Sequence, residues 1–164
     1  MARFKILFLI ALTILITSCS STETSSSDLY TEVEATTAKA TTSTIEKEVM
    51  NAVNDYRVSQ GLNVLEFSSI AYDFANSHND YMISEGQISH DDFNIRSSKL
   101  SVQANADYVS ENLGKDFTNA DDILKAWIAS ATHKKVMEDQ FTHTAVSVKA
   151  DANGVLYYTQ LFFK

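Results

Sequence analysis

The sequence predicts an α+β fold for the stretch from Ile45 to Lys164, on three observations. Apolar residues recur at helical spacing in three separate segments between Ile45 and Ile128. Ala145–Lys149 then alternates in a strand period. Asn153-Gly154, a hairpin turn signal, joins that run to a β-rich segment, Val155–Phe163. Helices early and an antiparallel hairpin last argue against a doubly wound parallel sheet.

The elements follow in order. Ile45, Val49, Ala52, Val53 and Tyr56 form the first helical stripe, with Thr44 as a cap candidate and Gly61 closing it. Ser68 or Ser69 caps a second helix, in which Ala71, Ala75, His78 and Met82 share a face, and Gly86 ends it. Tyr108-Val109 leading into Leu113 reads as a strand. A third helix starts after Asn119, carries Asp121 and Asp122 in its first turn where the dipole favours acids, and buries Ile123, Leu124, Trp127 and Ile128. Val148 and Leu161 fall in adjacent strands. There is no internal repeat, no Gly-rich phosphate loop and no CxxC.

Composition narrows the function classes. The 164 residues suit one ordinary domain, and 45% hydrophobic content supports a core. Thirteen Lys+Arg against 21 Asp+Glu give a net charge of −8, which disfavours nucleic acid as a partner. One cysteine and no proline exclude an internal disulfide scaffold and a collagen-like chain.

The single cysteine has a place. Residues 1–18 read as a signal peptide: Arg3 and Lys5 form a basic start, and Ile6–Ile16 an apolar run too short to span a bilayer, which takes about 20 residues. Ile16-Thr17-Ser18-Cys19 resembles the bacterial lipobox, so Cys19 is the expected lipidation site. Residues 19–44 follow as a tether in which 14 of the 25 residues from Ser20 to Thr44 are Ser or Thr, without the apolar content to offset ordering entropy. The expected product is extracytoplasmic, anchored by lipid to a bacterial envelope membrane, with residues 45–164 as its one folded domain.

Three polar residues each follow a regular segment: His90 in Gln87–Asp92, Glu111 in Ser110–Leu113, and His133 in Ser130–Lys135. Two His and one Glu make a workable first shell for Zn²⁺ or another divalent cation, with water in the fourth position. The same residues without metal form a His oriented by a carboxylate for acid–base work, so they are also the catalytic candidates. On spacing alone, ordinary solvated or core-satisfied residues are the better explanation of them. His78, on the Ala71/Ala75/Met82 face, reads as a packed histidine, and His143 as a strand-entry residue. Lys134-Lys135 reads as a solvated pair and Trp127 as core. Ser130 near His133 lacks the turn of a serine hydrolase.

In order, these segments resemble the CAP superfamily of cysteine-rich secretory, antigen 5 and pathogenesis-related proteins, in its cysteine-poor bacterial branch. The carriers are Asn54-Asp55-Tyr56-Arg57 with Gly61-Leu62 and Leu65, then Ala75-Asn76-Ser77-His78 with Met82, Gly86 and His90. Phe93 and Arg96, Glu111-Asn112-Leu113, Trp127, Ser130 and His133 follow, then Tyr157–Phe162. The resemblance implies a three-layer α-β-α sandwich with a central antiparallel sheet. It also implies a cleft of two His and two acids where a divalent metal can bind, with His90, Glu111 and His133 as its members. The pattern departs from the family at Ser110, at Ala145 and Ser147, and in Ser130-Ala131-Thr132-His133, which lacks the usual Pro and Gly. The second acid falls near Ser130, which is not an acid. Two functions are implied: a binding module for a small-molecule, lipid or envelope ligand, or a hydrolase of peptide or envelope polymer.

Overall fold

In the computed structural model, which describes residues 44–164, the helices end where their capping residues stand. The signal-like stretch, Cys19 and the tether up to residue 43 lie outside the described residues. Helix α1 spans 44–59. Helix α2 (Ser69–Glu85) is capped by Ser68, whose hydroxyl accepts from the Ala71 N–H, and stops at Gly86 with φ 69°. That left-handed turn carries a strong penalty for residues with a Cβ. Helix α4 (Ala120–Ala129) is capped by Asn119, whose side chain accepts from the Asp122 N–H.

The sheet runs β1-β3-β4-β2. Strands β3 (His143–Ala150) and β4 (Leu156–Phe163) form the expected hairpin. Val148 and Leu161 fall in these adjacent strands, with Val148 opposite Tyr158 and Leu161 opposite Ala145. Strand β2 (Val109–Lys115) pairs antiparallel with β4 and forms one edge, beginning one residue later than the sequence suggests. The two-residue β1 (Glu66–Phe67) joins β3 in parallel at the other edge, so a central antiparallel sheet acquires a short parallel margin.

Besides the two-residue β1, two helices were not legible in the sequence. Helix α3 (Phe93–Gln103) occupies a stretch to which the sequence assigned no element, and its only buried residues are Arg96 and Leu100. A charged residue on the inward face removes the apolar stripe that would have announced it. Helix α5 (Ala131–Met137) contains His133, which the sequence placed only after the third helix, with no element of its own. Seven residues with one buried side chain show no period.

Side chains alternate across the sheet and build two cores. On one face α1, α4 and α5 pack Val49, Val53, Ile123, Trp127 and Met137 against Val146, Val148, Tyr158 and Phe162. On the other, α2 and α3 pack Ala71, Ala75 and Leu100 against Val109, Ala145, Leu161 and Phe163. The result is the three-layer sandwich. Gly114 lets α4 press onto β2: a Cβ there would stand 2.5 Å from Ile123 Cδ1. Trp127 Nε1 donates to the Leu113 carbonyl at 2.8 Å across the same contact. Arg57, wholly buried, ties α1 to the segment after α5 by donating to the Met137 and Asp139 carbonyls.

Candidate functional site

The site forms around edge strand β2, whose successive residues point to opposite faces. Glu111 faces the α2/α3 layer, and Asn112 faces the α4/α5 layer. Glu111 is buried there without losing its charge partners. Arg96, one turn into α3, donates from Nε to Glu111 Oε2 at 2.9 Å and from its outer nitrogen to Oε1 at 2.8 Å. His90 Nδ1 donates to Oε1 at 2.8 Å. The Glu111 side chain is 1% exposed, Arg96 9% and His90 57%. One carboxylate therefore receives three donors, one of them permanently charged.

The His90 loop is held from three sides. His78, buried on α2, donates from Nε2 to the Ser89 carbonyl at 2.8 Å. Tyr81, stacked against the His78 ring, donates its hydroxyl to Asp91. Arg96 donates to the Asp91 carbonyl at 2.6 Å. Burial, the largest influence, pushes the His78 imidazolium below its usual range. His78 thus serves as a neutral donor that fixes the loop. With Nδ1–H committed to Glu111, the Nε2 edge of half-exposed His90 is left for other partners. An open cavity of about 400 Å³ lies alongside, lined in part by His78, Tyr81, Asp91 and Arg96, but not by His90 or Glu111.

His133 arrives from the opposite layer. It sits in α5, hydrogen-bonded through Nδ1 to Ser130 Oγ at 2.8 Å, and Asn112 donates to its carbonyl at 3.1 Å. Burial first, and the charge of His90 second, lower its pKa. The imidazoles of His90 and His133 are therefore electrostatic neighbours across the edge of β2.

The structure brings His90 and Glu111 into contact and sets His133 beside them, without joining all three. Neither oxygen of Glu111 is free: the Arg96 charge stands where a cation would have to approach. Among the described residues, no group of three or more His, Cys, Asp and Glu is disposed to hold a metal. The residues as arranged do not fit a three-ligand cation. Arg96, Ser130, Asn112 and His78 supply the supporting contacts. Only the Phe93…Arg96 spacing hinted at the first of them, because nothing local tells which carboxylate an arginine will meet. His143 stands at the start of β3, stacked on Phe163, and Trp127 lies in the core.

The chain matches the sequence profile of the cysteine-rich secretory protein (CAP) family over residues 50–162. An uncharacterized membrane protein of Bacillus subtilis (strain 168) is 27% identical over 125 residues, which are 74% of this chain and 35% of that protein. The chain thus spans about a third of that relative's length. Among solved structures, an outer surface protein from Borrelia burgdorferi superposes with a TM-score of 0.65 at 16% identity, covering 72% of this chain and 90% of that one. An extracellular protein containing an SCP domain, from Bacillus anthracis str. Ames, gives 0.68 at 21%, covering 77% and 42%. A cysteine-rich secretory protein from Staphylococcus aureus gives 0.62 at 19%, covering 74% and 38%. These structural likenesses are of fold.

Proposed function

Because the chain belongs to the cysteine-rich secretory protein (CAP) family, we propose that it is an extracytoplasmic binding module, tethered to a bacterial membrane through lipid on Cys19. The His90/Glu111/His133 face takes a small ligand through oxygen atoms. The location draws support from the lipobox-like Ile16–Cys19 and from relatives described as outer-surface, extracellular and membrane proteins. No helix among the described residues is long and apolar enough to cross a membrane.

One observation carries the ligand class. Glu111 spends its charge on Arg96 and His90, so the groups left facing solvent are imidazoles rather than carboxylates. With Nδ1 accepting from the Ser130 hydroxyl, His133 offers an Nε2–H to a carboxylate, phosphate or carbonyl oxygen, and His90 offers a second donor when its Nε2 is protonated. A divalent cation held by His90, Glu111 and His133 would first have to displace Arg96, at the cost of an uncompensated buried charge.

Histidine side-chain NMR of the full chain tests this with two probes. Acetate or phosphate should shift the His90 and His133 resonances, while Zn²⁺ should leave Tm unchanged. A Zn²⁺-induced rise in Tm that disappears in both His90→Ala and His133→Ala would replace this reading with the metal site.

The hydrolase reading rests on the His90 Nδ1–Glu111 bond, which leaves Nε2 as a base facing solvent. Its test is cleavage of a peptide or peptidoglycan library by the purified protein, abolished by His90→Ala.

A further inference from the structure

The opposite edge of the sheet carries a second site, independent of the first. Strand β1 covers the outer edge of β3 only at its start: Ser68 N–H donates to the Thr144 carbonyl, and the pairing ends there. Two residues further on, Val146 turns its N–H and C=O to the same open edge, and two further still the Val148 N–H is taken by Glu46 Oε1 at 3.0 Å. At the gap lies a cavity of about 420 Å³ lined by Glu46, Lys47, Met50, Phe67, Tyr72 and Val146. Its walls are mostly apolar, and Phe67 is left 54% exposed at the mouth.

Glu46 is the buried acid of that lining, beside exposed Lys47 and the Tyr72 hydroxyl. It is 9% exposed, yet no Lys, Arg or His among the described residues is within ion-pair distance of it. Its hydrogen bonds are the Val148 N–H and a shared Tyr72 hydroxyl, 3.1 Å from Oε1 and 3.3 Å from Oε2. Oε2 therefore keeps most of its acceptor capacity. Burial is the main influence on this carboxyl and raises its pKa, against lesser opposing effects of its hydrogen bonds and of the Lys149 charge, which is itself bonded to Asp80. Buried carboxylates are ordinarily paired, and Arg96–Glu111 shows that this fold pairs one where it can. Lys47 lines the same cavity but follows Glu46 directly in α1, and adjacent helical side chains diverge.

We infer that this cavity is a binding site for a small apolar molecule bearing a primary ammonium group. The ammonium pairs with Glu46 Oε2, and the apolar body lies against Met50, Phe67 and Val146. Charge complementarity selects the ligand: the walls offer an apolar body its contact area, and the one carboxylate among them is buried with no ion-pair partner among the described residues.

The probe is phenethylammonium, with phenethyl alcohol as its neutral match, titrated into the full chain and read from the amide shifts of Val146 and Val148. The amine should bind about tenfold more tightly than the alcohol, the discrimination of one charge-assisted hydrogen bond. Glu46→Gln keeps an acceptor for Val148 and should erase the difference. Met50→Trp fills the cavity with Glu46 intact and should abolish binding of both probes. Equal affinity for amine and alcohol in the unmodified protein overturns the proposal. So does an unchanged preference in Glu46→Gln, or retained binding in Met50→Trp.

Discussion

Arg96 and Glu111 meet side-on between α3 and β2, with two parallel hydrogen bonds of 2.9 and 2.8 Å and both side chains nearly removed from solvent. Breaking such a pair leaves a buried charge alone. Arg96→Ala should therefore cost about 3–5 kcal/mol in urea unfolding. Replacing both partners, Arg96→Met with Glu111→Leu, should cost well under the sum of the single changes. An additive double mutant would show that the two residues act separately.

Gly114→Ala should destabilise by about 1–3 kcal/mol, because the new methyl meets Ile123 in a packed layer. Ile123→Val in the same chain should recover part of the loss by withdrawing the atom that clashes. Thermal melts of the three variants compare the two effects.

Acid should weaken the fold through His78 and His133. Both imidazoles are held below the usual value, chiefly by burial. A depressed folded pKa contributes stability that is complete above the unfolded value of about 6.5 and is lost as pH falls through the folded value. Unfolding free energy should thus decline below about pH 6.5, and less so in His78→Gln. A pH-independent difference between His78→Gln and the unmodified chain would contradict this.

Glu46 should act in the opposite sense. Burial raises its folded pKa, so its contribution favours folding at low pH and is lost as pH rises through that value. Glu46→Gln should gain relative stability between pH 4 and pH 7 in paired urea titrations.

If Cys19 carries the proposed lipid, Cys19→Ala should move the protein from the membrane to the soluble fraction of cells. An unchanged membrane fraction would refute lipidation at Cys19.

Local chemistry was enough to place Ser68, Gly86 and Asn119 at helix ends, because capping is a contact within one turn of chain. It was enough for the β3–β4 hairpin, where alternation and a Gly turn agree. It also marked His90, Glu111 and His133 as the polar residues to watch. It could not find α3, whose inward face carries Arg96, nor α5, which is too short for a period.

The sequence by itself determined the fold class, the order of most elements and the identity of the polar residues, since these follow from periodicity and caps. Tertiary structure alone decided what those residues do to one another. Arg96 reaches Glu111 across 15 positions of sequence, and the pleat of β2 sends Glu111 and Asn112 to opposite layers. A carboxylate that spacing offered to a cation is thereby committed to a guanidinium. Glu46, which lies beyond the reach of any such partner among the described residues, keeps its charge facing a cavity.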